Sequence, residues 1–173
     1  MMQEKFTASK ESGKHGLFAR LVGEWEGSSK VWLDPTAEPD ESPVRGTMQL
    51  LLDGRYLQHE YRGSFSGKPL EGIALYGYNL ALEKFQCVWI DSFHTGTDML
   101  YSEGKRADEE APENEITVLG SYAYVTPEKE EHWGWRTTLQ LLSEDEIRIT
   151  AYNISPDRHE EKATETVYRR AKS

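Results

Sequence analysis

From Trp25 onward the chain is one series of short apolar or β-branched runs cut by turn residues, and the links are too short for crossover helices. The runs are GEWEGSSKVWL, VRGTMQLLL, RYLQHEYRGSF, LEGIALYGYN, KFQCVWIDSFH, DMLYSEG, EITVLGSYAYV, HWGWRTTLQLL, EIRITAYNI and KATETVYRR. Parallel strands need a connection of a dozen or more residues, so successive runs must pair as antiparallel hairpins. Asp53-Gly54 gives the strongest local hairpin signal, because both positions tolerate positive φ in a two-residue turn. About ten strands in a meander leave two exposed edges unless the sheet closes on itself. The fold predicted is therefore all-β: a single antiparallel up-and-down barrel of about ten strands, wide enough to enclose a cavity.

A wide barrel must be stopped at one end. In HGLFARL the side chains of Leu17, Phe18 and Leu21 recur at helical spacing, predicting one short helix, after which Trp25, Val31 and Leu33 share the parity of a half-buried strand. Trp25, flanked by Gly23 and Gly27, is placed to plug the barrel mouth beneath that helix. Closure of the meander pairs the first strand with the last, so Arg169 or Arg170 should lie over the indole; the parity shared with Ala163 and Val167 points to Arg169. Residues 1–173 read as one domain, with 1–12 as a flexible tail.

A Gly-x-Trp on the first strand after a short helix, with an arginine on the last, resembles the shared signature of the lipocalin superfamily, the calycins. The blocks LVGEWEG, DGRYLQHEYRG, PLEGIALYGYN and VWIDSF are similar to successive motifs of an uncharacterised bacterial family, domain of unknown function 1579. The resemblance implies a lipocalin-like barrel and carries no activity or catalytic residues with it.

A net charge of −10 argues against nucleic acid and anionic membranes as partners. The opening MMQEKFTASKESGKHG has no apolar signal core, and no later run approaches the ~20 apolar residues of a membrane helix, so the expected location is the cytoplasm. Cys87 stands alone in an apolar run and reads as a small buried hydrophobe.

A binding site is expected inside the barrel. One parity of KFQCVWIDSFH carries Phe85, Cys87, Trp89, Asp91 and Phe93, and one parity of RYLQHEYRGSF carries Leu57, His59, Tyr61 and Phe65. This places His59, Tyr61, Trp89 and Asp91 inward, with Trp135 as a further aromatic wall. His59 and Asp91 could pair as a structural couple, or as the centre of a low-activity enzyme. The leading expectation is a small apolar or amphipathic ligand and no cofactor.

No metal is expected, because His94 and Asp91 fall on opposite faces of a strand and the sequence has no Cys/His cluster or closely spaced His pair. The resemblance to calycins implies haem as a lesser alternative, held by a histidine near the last strand; His159 is the residue there, and its charged neighbours suit a solvated loop better. Self-association, as a homodimer for example, is a third reading, through an outer face carrying Val88 and Ile90. The resemblance to lipocalin-like barrels implies that the acidic, proline-rich segment DPTAEPDESP (34–43) is a lid over the open mouth, while its composition suits a solvated loop equally; KRADEEAPENE reads as a charged hairpin tip.

Overall fold

The computed structural model describes residues 1–106 and 112–172. Part of the expected KRADEEAPENE tip, residues 107–111, lies outside them. Two helices, α1 (Met2–Ser12) and α2 (Lys14–Leu21), precede ten strands: β1 (Gly23–Val31), β2 (Asp40–Leu51), β3 (Tyr56–Phe65), β4 (Lys68–Asn79), β5 (Lys84–Asp91), β6 (Leu100–Glu103), β7 (Glu115–Val125), β8 (Glu130–Ser143), β9 (Glu146–Ile154) and β10 (Glu160–Arg170). Each strand pairs antiparallel with its sequence neighbours, and β1 pairs with β10, closing the barrel. Neither helix is long and apolar enough to cross a membrane.

The inward sets follow from the period-two alternation of strands. Val44, Gly46 and Met48 are buried on β2, Leu57 and His59 on β3, Leu70, Gly72, Ala74 and Tyr76 on β4, and Phe85, Cys87 and Asp91 on β5. Their neighbours in sequence face outward. On β10 the alternation breaks. The pairing with β9 shifts register between Lys162 and Thr164, and such a bulge advances the inward set by one residue. Ala163 is buried before it, and Thr164, Thr166 and Tyr168 face the interior after it. Arg170, two residues beyond Tyr168, therefore lies over Trp25, with its guanidinium carbon 4.3 Å from the ring centre. Arg169 points outward to Glu146 at 3.2 Å, contrary to the parity expectation that ignored the bulge.

The N-terminal segment forms α1 where a flexible tail was expected. Phe6 is buried edge-on against His15, and the Arg55 guanidinium lies 4.5 Å from its ring centre. Lys10 reaches Asp53 in the β2–β3 turn at 3.2 Å. That turn spans residues 52–55 instead of two positions, with Leu52, Asp53 and Gly54 all at positive φ. Helix α2 then closes the barrel end, where Leu17, Phe18 and Leu21 join Trp25, Met48, Leu57 and Ile147 in the main core.

Candidate functional site

The opposite half of the barrel holds a cavity of about 90 Å³. Its apolar wall includes Val44, Leu70, Ala74, Val118 and Ile149. All five residues expected to contact a ligand, His59, Tyr61, Trp89, Asp91 and Trp135, line it, together with Tyr76, His94 and Tyr168.

The expected contact between His59 and Asp91 does not form. The Nε2 of His59 is 2.9 Å from the Tyr168 hydroxyl. Tyr61 stands beside His59, with ring centres 5.2 Å apart, and donates its own hydroxyl to Asp91 Oδ2 at 2.9 Å. Burial pulls the His59 pKa down to about 4, so the imidazole is neutral at pH 7. Burial likewise raises Tyr168 and Tyr76, which stay protonated.

Asp91 is the last residue of β5, and its carboxylate organises the segment that follows. Oδ1 accepts the backbone N–H groups of Phe93, at 2.8 Å, and His94. Oδ2 takes the Tyr61 hydroxyl and sits 2.8 Å from His94 Nδ1. Burial would by itself push this carboxyl up, but the hydrogen bond and charge of His94, the Phe93 N–H and the Tyr61 hydroxyl together hold it below the usual carboxylate range. Four contacts on two oxygens saturate the acceptor capacity of a carboxylate. Asp91 thus shapes the site and has nothing left to offer a ligand.

The turn after Asp91 overrides the strand parity that set His94 on the opposite face. It returns the imidazole to the cavity, between Trp89 and Trp135 at centroid distances of 5.5 and 5.6 Å. The two indoles stack at 5.1 Å, and Trp89 Nε1 donates to the Tyr61 hydroxyl at 2.8 Å. Trp89, Tyr61, Asp91 and His94 are thereby joined in one hydrogen-bonded chain. The sequence signal for His94 was present in DSFHTGTD: an aspartate followed by Ser, Thr and Gly is turn chemistry, and Thr95 fixes the turn by accepting the Asp91 N–H at 2.8 Å.

Two glycines make the close approaches possible. A Cβ on Gly46 would overlap the Tyr168 hydroxyl and come within 2.9 Å of His59 Nε2. One on Gly72 would overlap the Tyr61 ring and come within 2.7 Å of Asp91 Cβ.

The remaining candidates fall elsewhere. His159 sits in the exposed β9–β10 link, 3.2 Å from Glu161, and does not line the cavity. No group of three His, Cys, Asp or Glu gathers to hold a metal among the described residues. The candidate lid is shorter than expected: Asp40, Glu41, Ser42 and Pro43 belong to β2, and no residue of 32–41 lines the cavity. Cys87 lines it as a protonated thiol, its pKa pushed up to about 12 by burial.

In fold the chain is similar to Rv2717c from M. tuberculosis, with a TM-score of 0.61 at 13% identity over 91% of this chain and 96% of that one. It is also similar to the S-type phycobiliprotein lyase CPES from Guillardia theta, with a TM-score of 0.54 at 12% identity over 91% and 92% of the two chains. At such identities the likeness is one of fold alone. No curated protein matches the sequence. A family model described as "Protein of unknown function (DUF1579)" covers residues 10–170, and the chain belongs to that family.

Proposed function

We propose that the protein binds a small molecule inside the barrel, in the half opposite Trp25. The observation that carries this reading is the cavity itself, which combines apolar walls with polar groups that face it and have no hydrogen bond among the described residues. The hydroxyl of Tyr76 is the clearest: the residue is 2% exposed and lines the cavity, and its oxygen has no hydrogen bond among the described residues. A hydroxyl that faces a cavity without a protein partner is free to donate to or accept from a ligand or water. A binding barrel accounts for aromatic walls and unpaired polar groups together. A barrel whose interior is only a core would fill that space with side chains.

The test is native mass spectrometry of protein purified from its own cells, with a titration of toluene followed by tryptophan fluorescence. Trp89 and Trp135 line the cavity and should report occupancy. A bound molecule, or saturable quenching by toluene, is expected in the wild type and should be absent in Ala74→Leu, which fills the cavity from β4. A wild type that carries nothing and does not respond to toluene would leave the barrel without this function.

A further inference from the structure

We propose that the ligand is an uncharged molecule of about one ring that carries a hydroxyl or carbonyl group, hydrogen-bonded by Tyr76 and by the free ring nitrogen of His59. This rests on the binding reading above and adds the chemistry of what is bound.

The charge of the ligand follows from what the cavity lacks and from what is already committed. No lysine or arginine lines it among the described residues, and His94, the imidazole beside a carboxylate, is already paired through Nδ1 with Asp91, so an anionic group would be buried without a counter-ion of its own. The single carboxylate, Asp91, has its lone-pair sites filled by Tyr61, Phe93 and His94, so it cannot receive a ligand's ammonium without giving up those bonds. His59, 5% exposed and without a charged neighbour in hydrogen-bond contact, is held neutral by its burial. A buried site of this kind rejects either sign of charge.

The polar group follows from atoms that face the cavity without a hydrogen bond among the described residues, of which Tyr76 and His59 supply two and the buried Ser102 hydroxyl another. Tyr76 offers a hydroxyl that can donate or accept. His59 uses Nε2 on Tyr168, and its Nδ1 has no partner among the described residues. Which of these donates is set by the tautomer, and a ligand hydroxyl can complement either one. A hydrocarbon would leave both unsatisfied.

The size follows from the volume. A dry cavity of about 150 Å³ is known to hold benzene. The roughly 90 Å³ here is smaller and sets one small ring as the upper limit of the guest. The flat stack of the Trp89 and Trp135 indoles suits a planar guest.

The experiment is calorimetric titration of the full chain at pH 7 with phenol, toluene, benzoate and benzylammonium. These share one ring and differ in hydrogen bonding and charge. Phenol should bind about tenfold or more tightly than each of the other three, the size of effect expected for a hydrogen bond that satisfies a buried group. In Tyr76→Phe, phenol should lose about tenfold in affinity while toluene is unchanged. Equal binding of phenol and toluene by the wild-type protein would overturn the proposal and leave the cavity reading standing, as would benzoate or benzylammonium matching phenol. An unchanged phenol-to-toluene ratio in Tyr76→Phe would also overturn it. Failure of all four probes to bind would overturn the proposal, and would remove the binding reading as well only if native mass spectrometry also finds the barrel carrying nothing. The wild-type comparison decides the matter even if the variant does not fold.

Discussion

The guanidinium of Arg170 lies over the indole of Trp25 and ties the barrel closure to its plug. Its nitrogens donate to the carbonyls of Val22 at 2.7 Å, Arg20 at 3.2 Å and Glu144 at 2.7 and 3.0 Å. These carbonyls belong to the end of α2 and to the β8–β9 turn. Trp25 in turn donates Nε1 to Leu21 O at 2.9 Å. One cation therefore gathers the last strand, the helix end and a neighbouring turn around a buried aromatic.

The two adjacent arginines should behave differently on substitution. Arg170→Ala removes a stacked cation and four hydrogen bonds to backbone carbonyls, and should cost about 2–4 kcal/mol, given ~1.5–3 kcal/mol for bonds to charged groups and partial replacement by water. Arg169→Ala loses an exposed pairing with Glu146 and should stay within about 0.5 kcal/mol of wild type. Urea denaturation of both variants decides it; equal losses would mean that the indole contact has no energetic role. Trp25→Ala should cost about 3–5 kcal/mol, the range for deleting a buried large aromatic.

The barrel was legible in the sequence because short links and alternation leave a meander no other way to hide its edges. On β3 and β5 the parity carried through to the interior, bringing His59, Tyr61, Trp89 and Asp91 to one cavity. Two local departures from strict period two were not legible. The bulge near Lys162 exchanged the roles of Arg169 and Arg170, and nothing in KATETVYRR marks it. The turn that begins at Asp91 ended β5 early and returned His94 to the cavity, for which the Ser, Thr and Gly that follow were the available sign. Tyr76 was missed for a different reason: LEGIALYGYN is apolar on both parities at its centre, so alternation did not single out an inward hydroxyl.

Tyr61 is the joint between the stacked indoles and the Asp91 turn. Tyr61→Phe keeps the ring but leaves Trp89 Nε1 without its acceptor and Asp91 Oδ2 without one donor. The expected loss is about 1–3 kcal/mol in unfolding free energy, accompanied by a change in tryptophan emission. An unaltered stability and spectrum would mean that water replaces the hydroxyl at no cost, and that the hydrogen-bonded chain is incidental.

Gly72 tests the same joint from the neighbouring strand. The added methyl of Gly72→Ala meets the Tyr61 ring and the Asp91 side chain, both held by other bonds, so it cannot be relieved by rotating a free end. Overpacking of this kind costs about 1–3 kcal/mol and should weaken any ligand that touches Tyr61. A crystal structure of the variant with Tyr61 still bonded to Asp91 would show that the strand yields instead.

The last prediction concerns acid. Unfolded, His59 titrates near 6.5; folded, burial lowers its value to about 4. Between these values the unfolded chain binds a proton that the folded chain refuses, so stability falls as the pH drops from about 6.5 to 4 and is fully present above that window. At about 1.4 kcal/mol per pH unit, the loss attributable to His59 is roughly 3 kcal/mol. His15, buried against Phe6 and also shifted downward by desolvation, slopes the same way. Asp91 acts lower: its folded value lies beneath the unfolded one, so its contribution is kept above the ordinary carboxylate range and lost as the pH falls through the folded value. Urea unfolding at pH 7 and pH 4.5 should therefore show a large drop in the wild type and a smaller one in His59→Phe. That variant starts from a lower baseline at pH 7, because Tyr168 has lost its partner. Equal drops in the two proteins would mean that His59 accepts its proton inside the folded barrel, and that the cavity admits charge after all.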